Sequence, residues 1–110
     1  MVDRVKSWLL KCPYIQELSV CSLAPGSGTG LFPKGISRVR QDILGRSRLT
    51  QSYILRHRDY PDATWAEQVS AWILSNKPAD LQVTPKGGKL VNPTKDGWGT
   101  WELELTVESM

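Results

Sequence analysis

The stretch that decides the fold is Thr100-Trp101-Glu102-Leu103-Glu104-Leu105-Thr106-Val107-Glu108. Its polar and apolar side chains alternate without a break, and successive side chains of a β-strand point to opposite faces. The pattern therefore predicts a strand with one face toward an apolar core and one acidic face. No other part of the 110-residue chain alternates so regularly.

Upstream, two further stretches are strand-like. Residues 36–43 and 48–58 flank a short segment that contains Gly45, a residue suited to a tight reversal. They predict an antiparallel hairpin. Residues 17–23 alternate loosely and predict one more short strand, whereas the glycine-rich and proline-containing residues 24–35 predict a flexible loop.

Two helices are expected from apolar spacing. Residues 2–12 form a short amphipathic pattern that Pro13 ends. A second helix begins either with Asp62 as its N-cap or with Thr64 and Glu67 as a capping box, and it ends at residues 76–78. Its apolar stripe consists of Trp65, Val69, Trp72 and Ile73.

These elements predict the fold class. We expect one α+β domain over residues 1–110, a two-layer sandwich with an antiparallel or mixed sheet of about four strands and two helices on one face. Residues 84–99 hold scattered prolines and glycines and predict an irregular loop. No apolar run is long enough to span a bilayer, so a soluble protein without membrane contact is expected.

Charge is distributed unevenly along the chain. Six of the seven arginines lie within residues 38–58, where the only acid is Asp42. All six occupy even-numbered positions, so on extended backbone they share one face. They are Arg38, Arg40, Arg46, Arg48, Arg56 and Arg58, and the acids of the final strand are Glu102, Glu104 and Glu108.

No motif in the chain predicts catalysis, a cofactor or a metal. The glycines of residues 26–30 lack the Lys-Ser/Thr that a phosphate loop needs at a helix start. His57 is the only histidine, and no nucleophile or metal-spaced cluster accompanies it, so a half-buried structural role is predicted. Cys12 and Cys21 are interpreted as small reduced core residues without chemistry.

Three interpretations of the arginine face remain open. It is a solvated surface with cross-strand Arg/Glu pairs, a phosphate-binding surface for nucleic acid, or one half of a subunit interface. Nucleic acid is the less favoured partner, because the excess of 14 Lys+Arg over 11 Asp+Glu amounts to only +3 and interleaved aromatic residues are missing. A small nucleic-acid-binding module is kept as the alternative function.

The order of motifs resembles a known family. Residues 42–58, a helix with Val69-Ser70-Ala71-Trp72-Ile73, then Gly88-Lys89-Leu90 and residues 96–103 are similar to small tail-terminator proteins of long-tailed bacteriophages, often labelled minor capsid proteins. The resemblance implies an α+β subunit without enzyme activity or cofactor. It also implies assembly as a ring, commonly of six copies, on the head-proximal end of the tail tube, facing the head connector.

The sequence hypothesis is therefore a structural protein of a phage or prophage virion, made in the bacterial cytoplasm. Its partners would be copies of itself, the tail-tube protein and the head-connector protein. The interface residues follow from the charge pattern rather than from the resemblance. They are Arg38, Arg40, Arg46, Arg48, Arg56, Arg58, Glu102, Glu104 and Glu108, with Arg38, Arg40, Arg56 and Arg58 expected to face the glutamates of a neighbouring copy.

Overall fold

The computed structural model describes residues 2–23, 28–41, 45, 47–59, 64–91 and 99–109. Within them lie two helices and a five-stranded open mixed sheet, which confirms the α+β prediction. In chain order the elements are α1 (Val2–Leu9), β1 (Ser19–Val20), β2 (Thr29–Gln41), β3 (Ser47–Asp59), α2 (Thr64–Ser75), β4 (Leu81–Val91) and β5 (Gly99–Ser109).

The strand order is β1-β2-β3-β5-β4. β1 is parallel to β2, and the other neighbours are antiparallel. β5, the strand that the sequence predicted best, is inserted between β3 and β4, and α2 connects these two flanking strands. A sheet built this way brings together residues that are far apart in sequence, so its contacts are largely non-local.

The core lies between one sheet face and both helices. The apolar positions of β5, Leu103, Leu105 and Val107, are fully buried, as their alternation predicted. They belong to one cluster with the α1 residues Val5 and Leu9. The cluster also contains Tyr53, Leu55, Val69, Ile73 and Val83, all without solvent exposure.

The two helices also contact each other. The rings of Trp8 and Trp72 lie 5.5 Å apart, and the Trp8 indole N–H donates a 2.8 Å hydrogen bond to the carbonyl of Asn76, just beyond α2. A buried indole is stable only when its N–H has an acceptor, so this bond lets Trp8 fill the junction between the helices. Both predicted helices are present in the structure, and α1 ends at Leu9.

The two cysteines differ in burial. Cys12 is buried in the core, as predicted, whereas Cys21 lies just beyond β1 at the edge of the sheet and is exposed. The prediction of a core position is therefore wrong for Cys21.

Two predicted loops are wrong over part of their length. Residues 29–35 of the predicted 24–35 loop belong to β2, and residues 84–91 of the predicted 84–99 loop belong to β4. Both strands contain a proline close to a register shift, at Pro33 and Pro85. Proline has no N–H to donate to a neighbouring strand. Edge positions and bulges tolerate proline and glycine because not every backbone N–H there forms an inter-strand hydrogen bond. Residues 24–27 and 92–98 lie outside the described residues.

Candidate interaction surface

The sheet has a second face that no described helix or strand covers. On β5 this face carries Glu102, Glu104, Thr106 and Glu108, the positions that alternate with the buried core residues. The register aligns them with even-numbered residues of β3, so that Arg56 stands opposite Glu102 and Ile54 opposite Glu104. The uncovered face is the surface on which the predicted charges meet.

Arg56 and Glu102 form an ion pair within the chain. The Arg56 Nε donates a hydrogen bond of 2.5 Å to the Glu102 carboxylate, and the side chain of Glu102 is only 13% exposed. The Arg56 guanidinium carbon also lies 4.5 Å from the centre of the Phe32 ring, a cation–π distance. For this arginine, the acidic partner lies in its own subunit rather than in a neighbouring copy.

A second ion pair joins Lys34 to Glu104 at 3.3 Å. The side chain of Lys34 is 54% exposed, so water screens this attraction. Lys34 was not among the predicted site residues. The only sequence signal that could have identified it is its place on β2, and that place depends on a register shift after Pro33.

We expect the Arg56–Glu102 pair to be coupled by about 1 kcal/mol, since opposite charges directly across two strands contribute up to that amount. A double-mutant cycle of Arg56→Ala and Glu102→Ala, followed by urea unfolding, measures the coupling. The matched control is the Lys34–Glu104 cycle, for which the longer and more exposed pair predicts less than about 0.5 kcal/mol. Equal coupling in the two cycles would contradict the arrangement of this face.

The other predicted residues lie at different points on the sheet. Arg58 is exposed at the far end of β3, opposite Thr100, and its backbone N–H donates to the Gly28 carbonyl at 3.1 Å. Glu108 is half-buried and stands opposite Thr50. Arg46 lies outside the described residues. The backbones of Arg38, Arg40 and Arg48 are described within β2 and β3.

These three arginines occupy the end of the β2–β3 hairpin. β5 pairs with β3 only from Thr50 to Asp59 in the described ladder, whereas β2 and β3 continue to pair as far as Gln41 and Ser47. We call this extension, residues 39–41 and 47–49, the arm. Arg40 and Arg48 stand opposite each other in it, and Arg38 stands at its base opposite Thr50.

The arm belongs to an elongated molecule. The overall dimensions are 55 × 24 × 22 Å. Strands of 13 residues, the length of both β2 and β3, extend roughly 40 Å at about 3.3 Å per residue. The hairpin is thus long enough to account for most of the longest dimension.

A groove crosses the uncovered face between β4 and β3. Its volume is about 300 Å³, and its lining includes Lys34, Lys86 and Lys89 around Ile54, Glu102 and Glu104. The groove lies at the register shift of β4. Pro85 pairs with Leu105 and Gly88 pairs with Leu103, so two residues of β4 stand opposite Glu104. The sequence contained no signal that these lysines converge with the glutamates.

His57 lies on the other face of the sheet, toward α2. It is half-buried, as predicted, and its imidazole stacks on the Trp65 indole with the ring centres 4.3 Å apart. The imidazole Nδ1 lies 2.7 Å from the hydroxyl of the fully buried Thr29. Stacking and this hydrogen bond hold the ring between the sheet and α2. Among the described residues, no group of three His, Cys, Asp or Glu side chains could hold a metal ion.

A charge contact outside the uncovered face holds the helical layer to the sheet. Both Arg4 nitrogens Nε and Nη2 donate to the carboxylate of Asp80, at 2.8 and 2.7 Å, and so connect α1 to the residue that precedes β4. These hydrogen bonds, more than the charge of Arg4 itself, lower the pKa of Asp80 below its ordinary value of 3.8. The contact is fully formed only when Asp80 is ionised.

The Asp80 contact predicts acid-dependent stability. Because the folded-state pKa is lowered, the contribution is fully present above pH 3.8 and is lost as pH falls through the folded-state value. Asp80→Asn should therefore lower the urea midpoint at neutral pH, and the difference from wild type should shrink in strong acid. Arg4→Gln should cause a similar loss at neutral pH, and the double variant should lose little more. Equal midpoints for wild type and Asp80→Asn at neutral pH would disprove the contribution.

No protein-family model matches this chain, and no curated protein matches it by sequence. In the part of the chain that the structure describes, no helix is both long and apolar enough to cross a membrane. The class is therefore defined by architecture: an α+β protein with an open mixed sheet, one helix-covered face and one uncovered charged face.

Proposed function

We propose that this protein is a non-enzymatic structural subunit of a phage or prophage virion, of the tail-terminator or head–tail joining type. In this proposal it assembles as a ring, with six copies the expected number, at the head-proximal end of the tail tube. The observation that carries the proposal is the arginine-bearing arm, in which β2 and β3 pair beyond the described β3–β5 ladder.

The arm is suited to a partner surface. A two-stranded hairpin is at best marginally stable alone in water, so the arm gains stability when a further surface packs on it. Like charges at directly opposite positions destabilise a strand pair, and Arg40 and Arg48 have that relation in the register. An acidic surface on a neighbouring subunit would relieve this repulsion and fix the position of the arm.

The acidic row of β5 in the next copy is the proposed counterpart. Glu104 has an exposed in-chain partner in Lys34, and an ion pair of that kind contributes at most about 1 kcal/mol. An arginine of a neighbouring copy can therefore replace Lys34. Arg56 and Glu102 are left out of this contact because they already form their own pair. A contact between different patches of two copies can repeat from copy to copy. It generates a ring when the rotation that relates neighbouring copies returns to the first copy.

Sedimentation velocity and negative-stain electron microscopy of the purified protein, from micromolar to millimolar concentration, test the proposal. The expected result is a closed ring whose population rises with concentration. Addition of the tail-tube protein of the same phage or prophage should stabilise the ring. A chain that stays monomeric alone and with tail-tube protein would overturn the proposal.

The same experiment separates this proposal from nucleic-acid binding. Duplex DNA added to the protein should leave its mass unchanged at low salt. If instead the monomer binds DNA with an affinity that falls steeply as salt rises, the arm contacts phosphates and the structural proposal is wrong.

A further inference from the structure

We propose that the groove bounded by Lys34, Lys86 and Lys89 is a docking site for an extended acidic peptide segment of a partner protein. The site lies on the uncovered face and includes Lys34 and Glu104, which the proposed ring contact also involves, so its binding is tested on single chains. We infer the occupant of the groove from the balance of charge among its lining residues and from the side chains that form its floor.

The charge balance favours an acidic occupant. Both glutamates in the groove already have in-chain partners, Arg56 for Glu102 and Lys34 for Glu104. Lys86 and Lys89 are exposed, and no ion pair holds either of them among the described residues. Lys89 stands opposite Glu102 in the ladder, but the lining still carries three lysines against two glutamates. A carboxylate beside Lys86 and Lys89 would gain attraction from both.

A register shift brings these two lysines of β4 into the lining of the same groove. Between Pro85 and Gly88, β4 has two residues opposite the single Glu104, which is the geometry of a β-bulge. Gly87 has a φ of +100° there, a backbone conformation that other residues rarely adopt. The bulge turns the strand so that Lys86 and Lys89 line the same groove although they are three positions apart.

The floor distinguishes a peptide from a phosphate chain. Ile54 contributes an apolar surface, on which a peptide side chain can pack but a phosphate cannot. Glu102 and Glu104 would repel a polyanion that runs across the sheet, whereas a peptide can place its acids beside the lysines only. A volume of about 300 Å³ accommodates a few side chains of an extended segment.

Fluorescence anisotropy with a fluorescein-labelled peptide of alternating glutamate and valine tests this site. The wild-type chain should bind it one to one, and a peptide with glutamine in place of glutamate should not bind. Lys86→Ala combined with Lys89→Ala should weaken binding about fivefold to tenfold, as expected for two partly exposed ion pairs. The control Lys6→Ala with Lys11→Ala removes the same charge from the helical side and should leave binding unchanged.

Three results would overturn the proposal: no binding of the acidic peptide, equal weakening in the two double variants, or tighter binding of a single-stranded DNA oligonucleotide that depends on Lys86 and Lys89. Nuclear magnetic resonance gives a second measurement, in which the amides of Gly88 and Glu102 should shift on peptide addition. Because the binding is measured on single chains, its failure is distinguishable from failure of ring assembly.

Discussion

Replacing Gly30 by alanine should lower the free energy of unfolding by about 3 kcal/mol, at the upper end of what overpacking costs. A Cβ at this position would lie 2.2 Å from the carbonyl oxygen of Ser22 and 2.9 Å from its carbonyl carbon. Both atoms are backbone, so no side chain can rotate to relieve the overlap. The chain would have to separate where β1 pairs with β2.

The surrounding contacts explain why the backbone comes so close. Ser19 and Val20 pair in parallel with Gly30 and Leu31, and the Cys21 N–H then donates to the Leu31 carbonyl at 2.9 Å. Cys21 has a φ of +62°, which directs the chain across Gly30. Gly30→Ala would therefore strain the pairing that holds the segment between α1 and β2 to the sheet.

Gly88→Ala is the matched control. A Cβ there would meet only ordinary contacts, at 3.4 Å to the Glu102 carbonyl oxygen and 3.6 Å to the Ala66 Cβ. Its effect should stay below about 1 kcal/mol. Urea unfolding of the two variants under the same conditions gives the comparison. Gly30→Ala with wild-type stability would show that β1 does not lie against β2 as described.

Neutralising the arm should abolish ring formation. Arg38→Ala, Arg40→Ala and Arg48→Ala together should weaken self-association at least about a hundredfold, because loss of charges that are paired and desolvated in an interface costs several kcal/mol. Sedimentation velocity at the concentration where wild type forms rings should then show monomer. This expectation rests on the proposed function.

A triple variant of the helical side controls for net charge. Lys6→Ala, Lys11→Ala and Lys77→Ala also remove three positive charges, but from residues of α1 and from the segments that follow the two helices. Self-association of this variant should stay close to that of wild type. Circular dichroism should show both variants folded. Rings that persist in the arm variant, or that disappear equally in both, would exclude the arm as the contact.

Local patterns predicted the regular elements well. The alternation in β5 predicted its buried residues Leu103, Leu105 and Val107 correctly, since a period of two needs no information from elsewhere in the chain. The start of α2 was predicted to within two residues, from Asp62 or Thr64, and its end from the terminating segment at residues 76–78; the helix spans Thr64–Ser75. Each of these features depends only on residues that are close together in the sequence.

Strands with proline and glycine were not predictable in the same way. Pro33, Pro85 and the glycines beside them favour loops by their local preferences. Both positions lie in strands because β2 and β4 have register shifts there. Whether a strand lies at an edge depends on the order of all five strands, and that order is a property of the whole fold.

The sequence by itself determined the fold class, the helices, the buried face of β5 and the separation of arginines from glutamates. Only the tertiary structure decided that Arg56 pairs with Glu102 in the same chain, that Lys34 reaches Glu104, and that Lys86 and Lys89 line one groove. The reason is physical. Helix and strand periodicity is local, whereas each of these contacts is set by inter-strand register, and Arg56 and Glu102 are 46 positions apart.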